Sequence, residues 1–158
     1  MQDLRDESKI WIYQAERALS ETEISLITPL FRSFCENWTA HNNQLKASFE
    51  IIQNQFIVLA VDESLNTASG CSIDKSVAFL KSISEQLGIS LFERMKMAYL
   101  KNETLSTIHY NDIQKAFEDG LINEETPFYN NNVQSLGEYR NSFLSPLKNH
   151  WLYSKISR

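Results

Sequence analysis

The chain has 158 residues, 42% of them hydrophobic and 22% charged, and a formal net charge of −5. This describes a single globular domain spanning 1–158 and excludes a chain too polar to bury a core. No run approaches the ~20 apolar residues needed to span a bilayer, and the acidic balance argues against a nucleic-acid surface covering the whole molecule.

The first seven residues are mostly charged or polar and contain no apolar signal core, so residues 1–9 read as a frayed polar lead. Ile10 to Gln14 is short and β-prone and suits an edge strand. Ser20 and Glu23 have capping-box spacing, and Leu19 and Ile24 have the spacing of a hydrophobic staple. They open a helix whose apolar stripe is Ile24, Ile27, Phe31, Phe34 and Trp38. Pro29 lies inside it and predicts a kink, or a restart with Thr28 as cap. Trp38 to Asn43 forms the following loop.

The central stretch organises the rest. From Leu45 to Ile51 apolar and polar residues alternate, which puts Leu45, Ala47, Phe49 and Ile51 on one face of a strand. Phe56 to Val61 is apolar on both faces, as in a strand covered on both sides. Gln53, Asn54 and Gln55 supply a tight turn between them. Asp62 and Glu63 close the second strand. After a polar loop, Ser72 is the expected N-cap of a helix, with Asp74 at its positive end and a stripe of Ile73, Val77, Leu80, Ile83 and Leu87. Gly88 suits its C-terminus.

Met95–Leu100 and Thr104–Ile108 read as a second hairpin across Lys101, Asn102 and Glu103. A short helix capped near Asn111 ends before Gly120, with Ile113 and Phe117 facing inward. Residues 121–133 read as loop, and Gln134 to Phe143 as a last helix. An aromatic tail containing Trp151 and Tyr153 follows Pro146. Strands joined by short turns, together with these helices, predict an α+β fold: an antiparallel or mixed sheet of about four to five strands covered by helices in a two-layer sandwich.

Two cysteines in differently patterned elements, Cys35 and Cys71, suit reduced thiols and a cytoplasmic location. Cys71 beside a helix start is a candidate nucleophile with His41 as base, against the alternative of a small packing residue. The turn from Ser69 through Gly70 and Ser72 to Lys75 and Ser76 has the donors to hold an anion, but ordinary capping accounts for the same residues. Asp62 and Glu63 stand at a strand end where functional carboxylates occur, yet neighbours on a strand face opposite ways, which favours separate solvated acids. His41, His109 and His150 are scattered and there is no Cys-x-x-Cys, so no metal and no cofactor is expected. The aromatic tail suits closure of the core or self-association, as does a free sheet edge.

Three strings, Trp38-Thr39-Ala40-His41, Val61-Asp62-Glu63 and Ser69-Gly70-Cys71-Ser72-Ile73-Asp74-Lys75-Ser76, carry a resemblance to a family of small uncharacterised bacterial proteins, some of which bear the label "ABC transporter ATPase". The resemblance spans about residues 10–150 and brings no activity with it. The label conflicts with the residues. A phosphate-binding P-loop needs Gly-x-x-x-x-Gly-Lys-Ser/Thr, whereas Gly70, Gly88, Gly120 and Gly137 are far apart and none precedes a lysine. The expected function is a non-enzymatic binding or interaction module. The alternative is a small-molecule or anion-binding protein, or a thiol-dependent enzyme, with its site around His41, Asp62 and the Cys71–Lys75 turn.

Overall fold

The computed structural model describes residues 1–158. Its elements, in order, are β1 (Lys9–Gln14), α1 (Glu21–Asn37), β2 (Thr39–Ala40), β3 (Asn43–Gln44), β4 (Lys46–Ile52), β5 (Phe56–Asp62), α2 (Gly70–Leu87), β6 (Lys96–Lys101), β7 (Thr104–His109), α3 (Ile113–Glu118), β8 (Pro127–Tyr129), α4 (Leu136–Ser142) and β9 (Leu144–Pro146). Short 3-10 turns at Tyr110–Asp112, Leu147–Asn149 and Trp151–Lys155 complete the chain. The class is α+β, and every strand pairing is antiparallel. The strands do not form one sheet. They divide into a three-stranded sheet in the order β1-β5-β4, a four-stranded sheet in the order β7-β6-β8-β9, and the two-residue ribbon β2-β3.

β5 is the axis of the first sheet. All seven of its residues are buried, and alternate side chains enter different cores. Ile57 and Leu59 pack with Ile27 and Phe31 of α1 and with Leu80 and Ile83 of α2. Phe56, Val58 and Ala60 pack with Ala98 of β6, Tyr129 of β8 and Leu136 and Phe143 of the α4 region. The first sheet is therefore covered by helices on one face and by the second half of the chain on the other. A third core lies beyond the second sheet, where Tyr99 and Phe128 meet Ile113, Leu147, Leu152 and Ile156. The tail thus closes a core chiefly through its aliphatic residues, with Trp151 and Tyr153 packed beside them half-buried.

The turns follow from side-chain chemistry rather than glycine. Gln53 and Asn54, Asn102 and Glu103, and His41 and Asn42 all adopt left-handed backbone, with φ between 50° and 63°. Such pairs reverse the chain with the twist of the flanking strands, and Asn tolerates the conformation best.

Several expectations need correction. The lead at residues 1–9 is pinned rather than frayed. Leu4 and Ser8 are buried, Lys9 opens β1, Leu136 and Gly137 donate backbone bonds to Ser8 and Asp6, and Arg140 reaches Asp6 and the carbonyls of Met1 and Leu4. The reason is long-range pairing that local polarity does not reveal. α1 runs through Pro29 as one helix and does not restart at Thr28. Pro29 and Ser25, whose carbonyl loses its partner, are both exposed, so water can supply the missing bond. Two short strands were not expected, β8 inside the loop of residues 121–133 and β9 between the last helix and the tail; three residues each are too few to show a period.

β5 also gives a direct measure of the packing. Ile57→Ala opens space in a fully buried site and is expected to lower the unfolding free energy by about 2–5 kcal/mol, read from urea denaturation followed by circular dichroism.

Candidate functional site

The loop from β5 to α2 is an interlocked cap. Ser69, not Ser72, is the N-cap: its Oγ accepts from the Ser72 amide at 3.1 Å, while the Ser72 Oγ accepts from the Ser69 amide at 2.7 Å. Ser72 is buried in the first turn, and its carbonyl accepts the Trp38 indole N–H at 2.8 Å. The buried face of α2 accordingly runs Ser72, Ser76, Leu80, Ile83, with Ile73 and Val77 only half-buried. Asp74 lies beyond the first turn, which holds no acidic residue. The Ser76 hydroxyl turns back onto the Ile73 carbonyl at 2.6 Å. Every hydroxyl that would hold an anion at this turn has a partner within it. Gly70, Cys71 and Lys75 are exposed.

Asp62 and Glu63 are not the separate solvated acids expected: Asp62 is buried, and each carboxylate is engaged by nearby donors. Asp62 is 1% exposed and accepts from the Ser64 amide at 3.0 Å, from Arg5 Nε and Nη2 at 3.2 Å each, and from Lys46 Nζ at 3.4 Å. The Ser64 amide and hydroxyl, then Arg5 and Lys46, hold its carboxyl well below the usual range. Glu63 accepts from the Ala68 amide at 2.8 Å and pairs with Lys9 at 3.6 Å. His41 is exposed at a corner of the β2-β3 turn. Asn66 donates to the Gln44 carbonyl at 2.9 Å, so loop and ribbon lie side by side. Even so, none of His41, Asp62, Glu63, Ser69, Gly70, Cys71, Ser72 and Lys75 lines either of the two main cavities. No group of three or more His, Cys, Asp or Glu side chains is placed to hold a metal ion.

The cavity with the richest chemistry lies elsewhere, in a cleft of about 460 Å³ between the two sheets. β1 forms one wall and β6 the other. The segment Phe92–Arg94, the Asn131–Asn132 loop and the 3-10 turns near His150 and Trp151 close its ends. Gln14 joins the walls: its Nε2 donates to the Lys96 carbonyl at 2.9 Å, its Oε1 accepts from Asn131 Nδ2 at 2.9 Å, and its carbonyl accepts from the Glu93 amide at 3.0 Å. Glu93 staples the β6 entry by accepting the Met95 and Lys96 amides on Oε1, both at 3.1 Å. Lys96 Nζ donates to the Glu16 carbonyl at 3.0 Å. Arg94 is exposed and makes no ion pair. Burial raises the Tyr13 phenol above its ordinary value, against smaller pulls from the Ser76 hydroxyl and the Arg94 guanidinium. Phe92 meets Tyr13 edge-on at 5.6 Å, and Trp151 lies 5.5 Å from the His150 ring.

Two polar atoms in this wall lack a partner: Asn131 Oδ1 and the Tyr129 hydroxyl, both shut off from solvent. A buried polar atom left unpaired costs about 1–3 kcal/mol, and such atoms are few in native proteins. His150, by contrast, is fully committed. Its Nδ1 accepts from the Leu152 amide at 3.1 Å, so Nε2 carries the proton and donates to the Tyr129 carbonyl at 3.0 Å. A second cavity, of about 480 Å³, lies beside α4. There Tyr139 donates to Glu50 at 2.7 Å and Arg140 pairs with Asp6, so the Glu50 and Arg140 side chains are already engaged.

Sequence reasoning missed the cleft. Its residues come from four separate stretches, 12–14, 92–98, 129–132 and 150–151, and Asn130-Asn131-Asn132 signalled only irregular backbone. The one local signal was a cluster of opposite charges, Glu93, Arg94 and Lys96, just where a strand begins. No protein-family model matches the chain, and neither curated proteins nor solved structures provide a match.

Two measurements follow from these environments. Burial, then the nearby Glu36, pushes the Cys35 thiol up to about 12, while Cys71 is exposed. A disulfide reagent at neutral pH is expected to label one thiol per native chain and both after denaturation. Burial lowers the His150 imidazole below its ordinary value, opposed by its bond to the Tyr129 carbonyl. An unfolded chain protonates this ring near pH ~6.5, whereas the folded chain does so only at lower pH. Between those points the unfolded state binds more protons, so stability falls as pH falls below ~6.5. Urea midpoints measured from pH 7.5 to 5 are expected to show this decline, and His150→Gln to flatten it.

Proposed function

We propose that the protein is a non-enzymatic binding module whose inter-sheet cleft takes a small molecule. The observation that carries this reading is the cleft itself: a concavity of about 460 Å³, within the usual range of ~300–1,000 Å³ for ligand sites, with aromatic and amide groups on the β1 wall and at its ends. The unpaired Asn131 Oδ1 supports it, since unmatched polar atoms tend to persist where function holds them. Binding is favoured over catalysis by the lining. It contains no serine, threonine or cysteine, both nitrogens of His150 are occupied, and Cys71 lies outside it.

Membership of the bacterial family suggested by the three strings, and a cytoplasmic location, belong to the same proposal. No helix is long and apolar enough to cross a membrane, and both cysteines are free thiols, as suits a reducing compartment. A fragment mixture screened by amide and indole NMR tests the central claim. Shifts are expected at Trp151, Arg94, Asn131 and Asn132. Shifts confined to the Asp62–Lys75 loop, or none anywhere, would overturn it.

A further inference from the structure

We propose that the cleft is built for a small planar organic anion: an aromatic ring bearing a carboxylate or phosphate, its charged end at Arg94 and Lys96 and its ring against Phe92 and Trp151. This rests on the cleft being a ligand site and names the class of ligand.

Charge is the first support. The chain carries a net −5, and the cations of the Asp62 network and of the second cavity are held by carboxylates. Arg94 and Lys96 line the cleft without an acidic partner within 4 Å. The only carboxylate in the lining is Glu93, and one of its oxygens is turned onto two backbone amides. His150 is held neutral by accepting a backbone N–H, so it neither adds to nor offsets this charge. The lining thus carries two cations against one carboxylate, on a protein that is acidic as a whole. An anion is drawn there and repelled over most of the remaining surface. The Arg94 guanidinium offers a planar fork that matches a carboxylate or phosphate, and Lys96, whose Nζ also donates to the Glu16 carbonyl, adds a second cation to the lining.

Shape is the second support. Phe92 is fixed by its edge contact with Tyr13, and Trp151 by its contact with His150. Both are half-buried, so they keep surface for a further ring. Rings fixed in advance lose little entropy on binding. Asn132, exposed in the cleft lining, can meet ring substituents that hydrogen-bond.

Four probes on the intact chain separate the parts: benzoate, its uncharged isostere benzamide, phenyl phosphate, and acetate, which has the charge without the ring. Affinities come from NMR titration of the cleft resonances at low and high salt. Benzoate or phenyl phosphate is expected to bind about three- to fivefold more tightly than benzamide or acetate at low salt; at high salt the gap to benzamide is expected to close and the gap to acetate to remain. Arg94→Gln, an exposed change that leaves the core alone, is expected to remove that advantage and leave benzamide unchanged. Benzamide equal to benzoate, or no effect of Arg94→Gln, overturns the anion while the cleft stands as a ligand site. Acetate equal to benzoate overturns the ring. If neither these probes nor neutral fragments move the cleft resonances, the cleft reading itself fails.

Discussion

One strand buried on both faces carries this fold. Because β5 turns Ile57 and Leu59 toward α1 and α2 and Phe56, Val58 and Ala60 toward the second half of the chain, two cores share one backbone. At about 25 cal/mol per Å² of apolar surface removed from water, neither side can be given up cheaply. The hairpin partner β4 stays at the edge with one polar face, and β1 pairs on the other side, so β5 has hydrogen-bonded neighbours along its whole length. Everything that meets in the cleft is placed by reference to this strand.

Two polar anchors turn the stacked layers into a single arrangement. At one end of β5, the buried Asp62 gathers Arg5, Lys46 and the Ser64 amide, and ties the N-terminal segment to the strand. At the other, the Gln55 side chain donates to the Ala15 carbonyl, and the Ala15 amide donates to the Gln55 carbonyl. Trp38 does the same work between elements, its indole N–H holding the first turn of α2 against the end of α1. Buried polar groups satisfied in this way specify one packing out of the several that apolar contact alone would allow.

The chemistry suggested by local motif and the chemistry assembled by the fold fall in different places. The serine-rich turn before α2 has the composition of an anion site, but the hydroxyls and amides of Ser69 and Ser72 answer one another. Asp62 looks like a free strand-end acid and is a structural counter-ion. The cleft draws instead on Tyr13, Phe92, Arg94, Asn131 and Trp151, none of which stands in a motif. Local sequence shows which groups exist; it does not show which of them have already been matched.

From the amino-acid order alone, the elements with a strong period were readable. The capped start at Ser20, the alternating and the doubly apolar strands of residues 45–61, the amphipathic helix ending at Gly88 and the second hairpin all express local preferences that tertiary contacts reinforce. What only the folded chain decided was the division of strands into two sheets, the pinning of residues 1–9, the three-residue strands β8 and β9, and the cleft. The Gln14–Asn131 bond, which helps to close that cleft, spans 117 positions of sequence. Contacts at that separation leave no trace in the spacing of neighbouring residues, because they form only when independent segments compete for the same buried surface.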